Sequence, residues 1–178
     1  MDENLAHYLH ALTPAAREPI TWWETVHFTV TTYLHTAAPP LEFVNSVRGI
    51  VLTDAGVAVC TNPDASHIFP GGRREMGESI DETLRRELLE ETGCEVLESR
   101  LIGFLHFHHE TPRPGHWTGP YPDMLHMIFA VRAKRVRFDG SDPDGWEHTC
   151  EFVPAEALRD LRPGERLFLA AALTEPFR

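Results

Sequence analysis

Apolar residues recur at two periods along the chain, and the switches between them mark out its elements. Residues 3 to 12 place Leu5, Tyr8, Leu9 and Leu12 on one side of a short helix, which Thr13-Pro14 ends. Residues 15 to 23 keep neither period clearly. From Val26 to Leu34, apolar Val26, Phe28, Val30 and Leu34 alternate with His27, Thr29, Thr31 and Tyr33, which predicts a strand. Ala37-Ala38-Pro39-Pro40 reads as a linker. Phe43 to Leu52 and Val57 to Cys60 predict two strands joined at Asp54-Ala55-Gly56. Ile80, Leu84 and Leu88 then form an apolar stripe at helical spacing, predicting a helix over Ile80 to Thr92. Val96 to His109 and Met124 to Ala133 read as strands flanking a Pro- and Gly-rich loop at 110 to 122. A short strand at Glu151 to Val153 and helices near 154 to 160 and 164 to 174 complete the chain. Strands and helices interleave, with hairpin-like pairs among them. This predicts an α/β (α+β) fold, a mixed β-sheet between helices.

Composition narrows the field. One domain is expected from 178 residues. The net charge of −11 argues against a nucleic-acid or anionic-membrane surface, since both need clustered Lys and Arg. No apolar run is long enough to predict a transmembrane helix, and the first residues do not read as a signal peptide. Cys60, Cys94 and Cys150 are odd in number and widely spaced in sequence. They suggest reduced thiols in a cytoplasmic protein.

The chemistry concentrates between Phe69 and Cys94. Gly71-Gly72 after Pro70 predicts a turn with room for close approach. Ser79 and Glu82 have the spacing of a capping box. The helix that follows carries Glu87, Glu90 and Glu91, whose spacings of three and four set the carboxylates side by side. Like charges so placed repel, and a hard divalent cation reverses the sign of that interaction. A solvated acidic helix face is the plainer reading of three glutamates; the glycine loop in front of them shifts the balance.

The stretch resembles the Nudix box of the Nudix hydrolase superfamily. Gly72, Glu78, Arg86-Glu87, Leu88, Glu90-Glu91 and Gly93 fill its fixed positions, with Cys94 where an aliphatic residue is commoner. The resemblance implies a Nudix-like α/β/α sandwich. It sets residues 1–43 apart as an N-terminal helix-strand extension before a hydrolase domain at 44–178. The extension could cap the groove, add to a sheet edge or build a homodimer. The resemblance further implies Mg²⁺-dependent attack of water on a diphosphate linkage, in a nucleoside diphosphate linked to another moiety, with Mn²⁺ as a substitute. Gly71 (through its backbone carbonyl), Glu87, Glu90 and Glu91 match metal-ligand positions. Glu78 and Arg86 match the Glu and Arg that hold the loop to the helix. Glu87, then Glu91, is expected to act as general base. Glu147 is expected as a further ligand or base, with Glu110 and Asp123 behind it.

His106, His108, His109, His116 and His126 lie close in sequence, and His106 and His108 share one strand face. A zinc site is one reading; groove residues that donate hydrogen bonds to phosphate or ribose is another. Trp117 and Tyr121 in the 110–122 loop could stack on a base, or pack within the loop. The expected partner is a small nucleotide-type molecule. Two rivals share the scaffold: a catalytically silent nucleotide-binding regulatory module, and an isomerase of isoprenoid diphosphates. The retained glutamates and the non-basic extension weigh against the first, and no motif around Cys60 supports the second.

Overall fold

The computed structural model describes residues 1–62, 65–115, 117–136, 149–174 and 177. In chain order the elements are α1 (Glu3–His10), β1 (Ala16–Trp22), β2 (Val26–Tyr33), β3 (Val44–Thr53), β4 (Gly56–Thr61), β5 (Ser66–His67) and β6 (Gly71–Gly72). Then come α2 (Ile80–Thr92), β7 (Cys94–His109), β8 (Asp123–Arg135), β9 (Thr149–Val153) and α3 (Pro163–Thr174). The strands form one mixed sheet in the order β1-β2-β7-β8-β3-β4-β5, with β6 paired to β3 and β9 to β4. Among the described pairings only β3 with β8 is parallel.

Side chains on successive strand positions point to opposite faces, and the two faces carry different helices. On one, Leu84 and Leu88 of α2 are fully buried against Val47, Val51 and Val131. Gly49 permits this approach: a Cβ there would stand 3.1 Å from Leu88 and 3.0 Å from Val131. α1 covers the same face further along, through Leu5 and Leu9 against Tyr33, Phe104 and Leu125. On the other face, Phe168, Leu169 and Ala172 of α3 pack with Ile50, Leu105, Ile128 and Ala130. The α/β/α layering expected from the sequence is therefore present.

The segment 15–23, ambiguous in sequence, is strand β1. It alternates half-buried and exposed positions and pairs with β2. Pro19 and the exposed Arg17 are compatible with a sheet edge, where no further strand needs the N–H. β2 in turn pairs with β7 from Phe28↔His109 to Tyr33↔Phe104. Of the roles considered for residues 1–43, addition to the sheet edge is one that the chain shows. The helix expected near 154–160 is only a short 3-10 turn at Ala155–Ala157. Cys60 and Cys150, far apart in sequence, are cross-strand partners of β4 and β9 with sulfurs 2.7 Å apart. All three cysteines are buried, and none is in a disulfide.

Candidate active site

α2 starts where its first turn is satisfied from both sides. The Ser79 side chain accepts from the Glu82 N–H at 3.2 Å, and the Glu82 carboxylate accepts from the Ser79 N–H at 2.8 Å. It ends at Gly93, whose φ of +67° is the left-handed cap that glycine favours. Between these stops the apolar stripe is pinned to the sheet, so the acidic edge is held in a fixed rotation beside β6.

That edge meets the glycine turn at very short range. Gly71 has φ +131° and sits so tightly on Val47 that a side chain would overlap the Val47 carbonyl. A Cβ on Gly72 would overlap the Glu87 carboxylate. The Gly71 N–H donates to Glu91 Oε2 at 2.6 Å. Two carboxylates of α2, Glu91 twenty residues beyond Gly71 and Glu87 fifteen beyond Gly72, are thus brought onto the turn.

Arg86 organises the other side. Its Nε donates to Glu78 Oε1 at 2.7 Å and an Nη to Glu78 Oε2 at 3.0 Å, a two-pronged grip. The same Nη donates to the Arg73 carbonyl at 3.0 Å, and the second Nη reaches Glu87 at 2.9 Å and Glu90 at 3.0 Å. Glu78 also accepts from the Glu75 N–H and the Thr83 hydroxyl. Hydrogen bonds from Arg86, then from Glu75, hold the Glu78 carboxyl down at about 2. Glu87 moves the other way: burial raises it above the usual carboxylate range, with Arg86 opposing. One guanidinium therefore serves three carboxylates, with Glu91 close by at the turn. Negative charge is in excess, and the oxygen-rich donor set suits a hard divalent cation.

Through Glu91 the cluster borders a cavity of about 650 Å³ on the α3 face of the sheet. Glu91, Arg48 and Arg73 line its acidic and basic end. Trp22, Phe107 and Trp117 form an aromatic wall, joined by His126. The Phe107 ring lies 4.4 Å from the His126 ring, and Trp22 lies 5.4 Å from Phe107. His126 is only 5% exposed, and its Nε2 has no hydrogen-bond partner. Burial, and then Arg48 and Arg73, push its pKa well below the ordinary imidazole value.

The sequence-predicted residues divide into four groups. Gly71, Glu78, Arg86, Glu87, Glu90 and Glu91 come together around the turn. Trp117 lines the cavity, with its Nε1 donating to the Pro120 carbonyl at 3.0 Å. Tyr121 packs on His109 at 5.0 Å and donates to the Thr111 carbonyl at 3.1 Å; it is not among the cavity-lining residues. His106 and His108 are not cavity residues either. Leu105 and Phe107 point into the cavity, so His106 and His108 face the α1 side, where both contact Asp123. Glu110 accepts from the Thr29 hydroxyl at 2.7 Å. Glu147 and His116 lie outside the described residues. Sequence reasoning missed Trp22, Arg48 and Arg73. Only strand pairing carries Trp22 to the cavity; Arg73 follows the Gly-Gly turn directly, a positional signal that was available.

The NUDIX domain family model matches residues 43–172. The chain belongs to the Nudix family. It is similar in structure to the Bacillus subtilis pyrophosphohydrolase BsRppH at 17% identity and a TM-score of 0.53, with 75% of each chain covered. It is also similar to a UDP-X diphosphatase at 17% identity and a TM-score of 0.51, covering 78% of this chain and 64% of that one. At such identity the likeness is one of fold. With every fixed position of the Nudix box filled, the protein is a hydrolase of pyrophosphate bonds. No helix among the described residues is long and apolar enough to cross a membrane.

Proposed function

We propose that this Nudix protein hydrolyses the diphosphate bridge of a nucleoside diphosphate linked to another moiety, with Mg²⁺ as its ion and Mn²⁺ as a substitute. The observation that carries the reading is the continuity of the site. The cavity runs from Glu91 and two arginines to an aromatic wall, so one molecule spans acidic cluster and wall. Its volume lies in the ordinary range for small-molecule sites, about 300–1,000 Å³. The fold neighbours' names, pyrophosphohydrolase and UDP-X diphosphatase, describe the same class of bond.

Glu87, Glu90, Glu91 and the Gly71 carbonyl would hold the ion. The excess of carboxylates over cations around Arg86 fits such a group. When bound, it neutralises phosphate charge and activates water. The chain's own groups do the rest. Arg86 and Glu78 lock the glycine loop to α2, so the ligands keep their positions. Glu87 takes the proton from the attacking water: burial raises its affinity for a proton, the direction a general base needs. Glu91 is second, because one of its oxygens already accepts from Gly71. Arg48 and Arg73 draw the phosphates towards the cluster. Trp22 and Trp117 offer ring surfaces to the nucleoside, which the neutral His126 fixes in orientation through Nε2.

The experiment is turnover of a panel of nucleoside triphosphates, ADP-ribose, NADH, dinucleoside polyphosphates and nucleotide sugars with Mg²⁺ or Mn²⁺. Products would be separated by chromatography. Metal-dependent cleavage of nucleoside diphosphates linked to another group supports the reading. Ligand binding with no turnover of any member would make the protein a silent module instead.

A further inference from the structure

On the face of the sheet away from the cavity, three metal-ligating side chains converge. His106 Nε2 and His108 Nδ1 stand 2.8 Å and 2.7 Å from the same oxygen, Asp123 Oδ1. One ligand atom from each residue falls within 4.8 Å of the other two. The placement follows from strand register. His108 is directly opposite Asp123 on β7 and β8, and His106 is opposite Leu125, one same-face step along.

Asp123 is 2% exposed, yet its Oδ2 has no hydrogen-bond partner. The Met1 ammonium stands 3.8 Å from it, within ion-pair distance but beyond hydrogen-bonding range. A buried carboxylate is costly unless a cation and hydrogen bonds satisfy it. Two imidazoles supply a positive charge only when protonated, but as neutral rings they supply lone pairs. We propose that His106, His108 and Asp123 bind a second divalent cation, of the Zn²⁺ class, separate from the ion of the Nudix helix.

The donor set distinguishes the two sites. Two imidazole nitrogens and one carboxylate suit Zn²⁺, whereas Mg²⁺ prefers oxygen alone. Bonds of about 2.0–2.1 Å in tetrahedral geometry put ligand atoms about 3.4 Å apart. The nitrogen–oxygen separations of 2.8 and 2.7 Å reach that value by opening about 0.6–0.7 Å through side-chain rotation. His108 is the partly exposed member, with 34% of its side chain accessible, and provides the way in. Water would complete the coordination.

The location gives the ion a role. His108 and Asp123 are the last paired residues on either side of the 110–122 loop, which carries Trp117 into the cavity. An ion bridging them ties the two ends of that loop and steadies a wall of the active site without touching substrate.

The test is Zn²⁺ titration of the full, metal-stripped chain by calorimetry, with visible absorption of Co²⁺ as the report on ligands. It would be run on the wild type, on a Glu90→Gln, Glu91→Gln double variant, and on His108→Gln and His106→Gln. The expected result is one tight Zn²⁺ in the double variant, affinity about tenfold or more lower in each histidine variant, and a four-coordinate Co²⁺ spectrum. Hydrogen exchange in 110–122 should slow with Zn²⁺ and not with Mg²⁺. Loss of all binding in the double variant, or affinity in both histidine variants unchanged from the wild type, would mean an adventitious ion only and overturn the proposal. Because His108 is partly exposed, its variant is expected to fold, which a circular dichroism spectrum checks.

Discussion

Arg86 grips Glu78 through two hydrogen bonds, of 2.7 and 3.0 Å, and with the same guanidinium reaches Glu87 and Glu90. Lysine presents a single ammonium and cannot reproduce this planar fork. Arg86→Lys should therefore lower kcat by about a hundredfold, as misplaced catalytic groups do, while the protein stays folded. Steady-state kinetics beside a melting curve would check it.

The Glu78 carboxyl has a definite pH signature. Its pKa is lowered to about 2 from an ordinary 4.5, so its contribution is fully present above 4.5 and is lost as pH falls towards 2. Melting temperatures of the wild type and Glu78→Gln should differ by a constant amount above that window and converge below it. A difference that grows on acidification would contradict the assignment.

Glu87 carries the opposite sign. Burial raises its folded pKa, so the ionised carboxylate opposes folding increasingly as pH rises above its unfolded value. Glu87→Gln keeps an oxygen for Arg86 and removes the charge. In metal-free protein at pH 8 it should melt no lower than the wild type. With Mn²⁺ the order should reverse, since only the wild type gains full ligand stabilisation.

His126 and His109 are both held below the ordinary imidazole range, chiefly by burial. For a base with a lowered folded pKa, the unfolded chain binds more protons, so stability falls as pH drops below about 6.5. His126→Phe should flatten this slope between pH 7 and pH 5 in thermal unfolding. An unchanged slope would assign the acid sensitivity elsewhere.

Trp22 belongs to the first 43 residues yet lines the cavity. Stacking on an aromatic ring contributes about 1–3 kcal/mol per base. Trp22→Ala should accordingly raise KM roughly tenfold with a smaller change in kcat. Equal losses in both would point to a folding defect or a role in chemistry.

What was legible in the sequence follows from how local each signal is. Ser79, Glu82 and Gly93 fix both ends of α2 through contacts within a few residues, so the helix and its acidic edge could be read directly. Strand alternation told which residues share a face, as with His106 and His108, but not which face looks into the cavity. That is settled by the pairing of β7 with β2 and β8, a long-range fact. β1 was obscured because Arg17, Glu18 and Pro19 are tolerable only at a sheet edge, and no edge is visible in a sequence. The nearness of Cys60 to Cys150 has the same origin.

The most direct test of the account is metal-dependent hydrolysis by the wild type against the Glu90→Gln, Glu91→Gln double variant, on a nucleotide-linked diphosphate. The account predicts turnover that needs Mg²⁺ or Mn²⁺ in the wild type and a loss of about a hundredfold or more in a folded double variant. Equal turnover in the two proteins, or turnover indifferent to the metal, would contradict it.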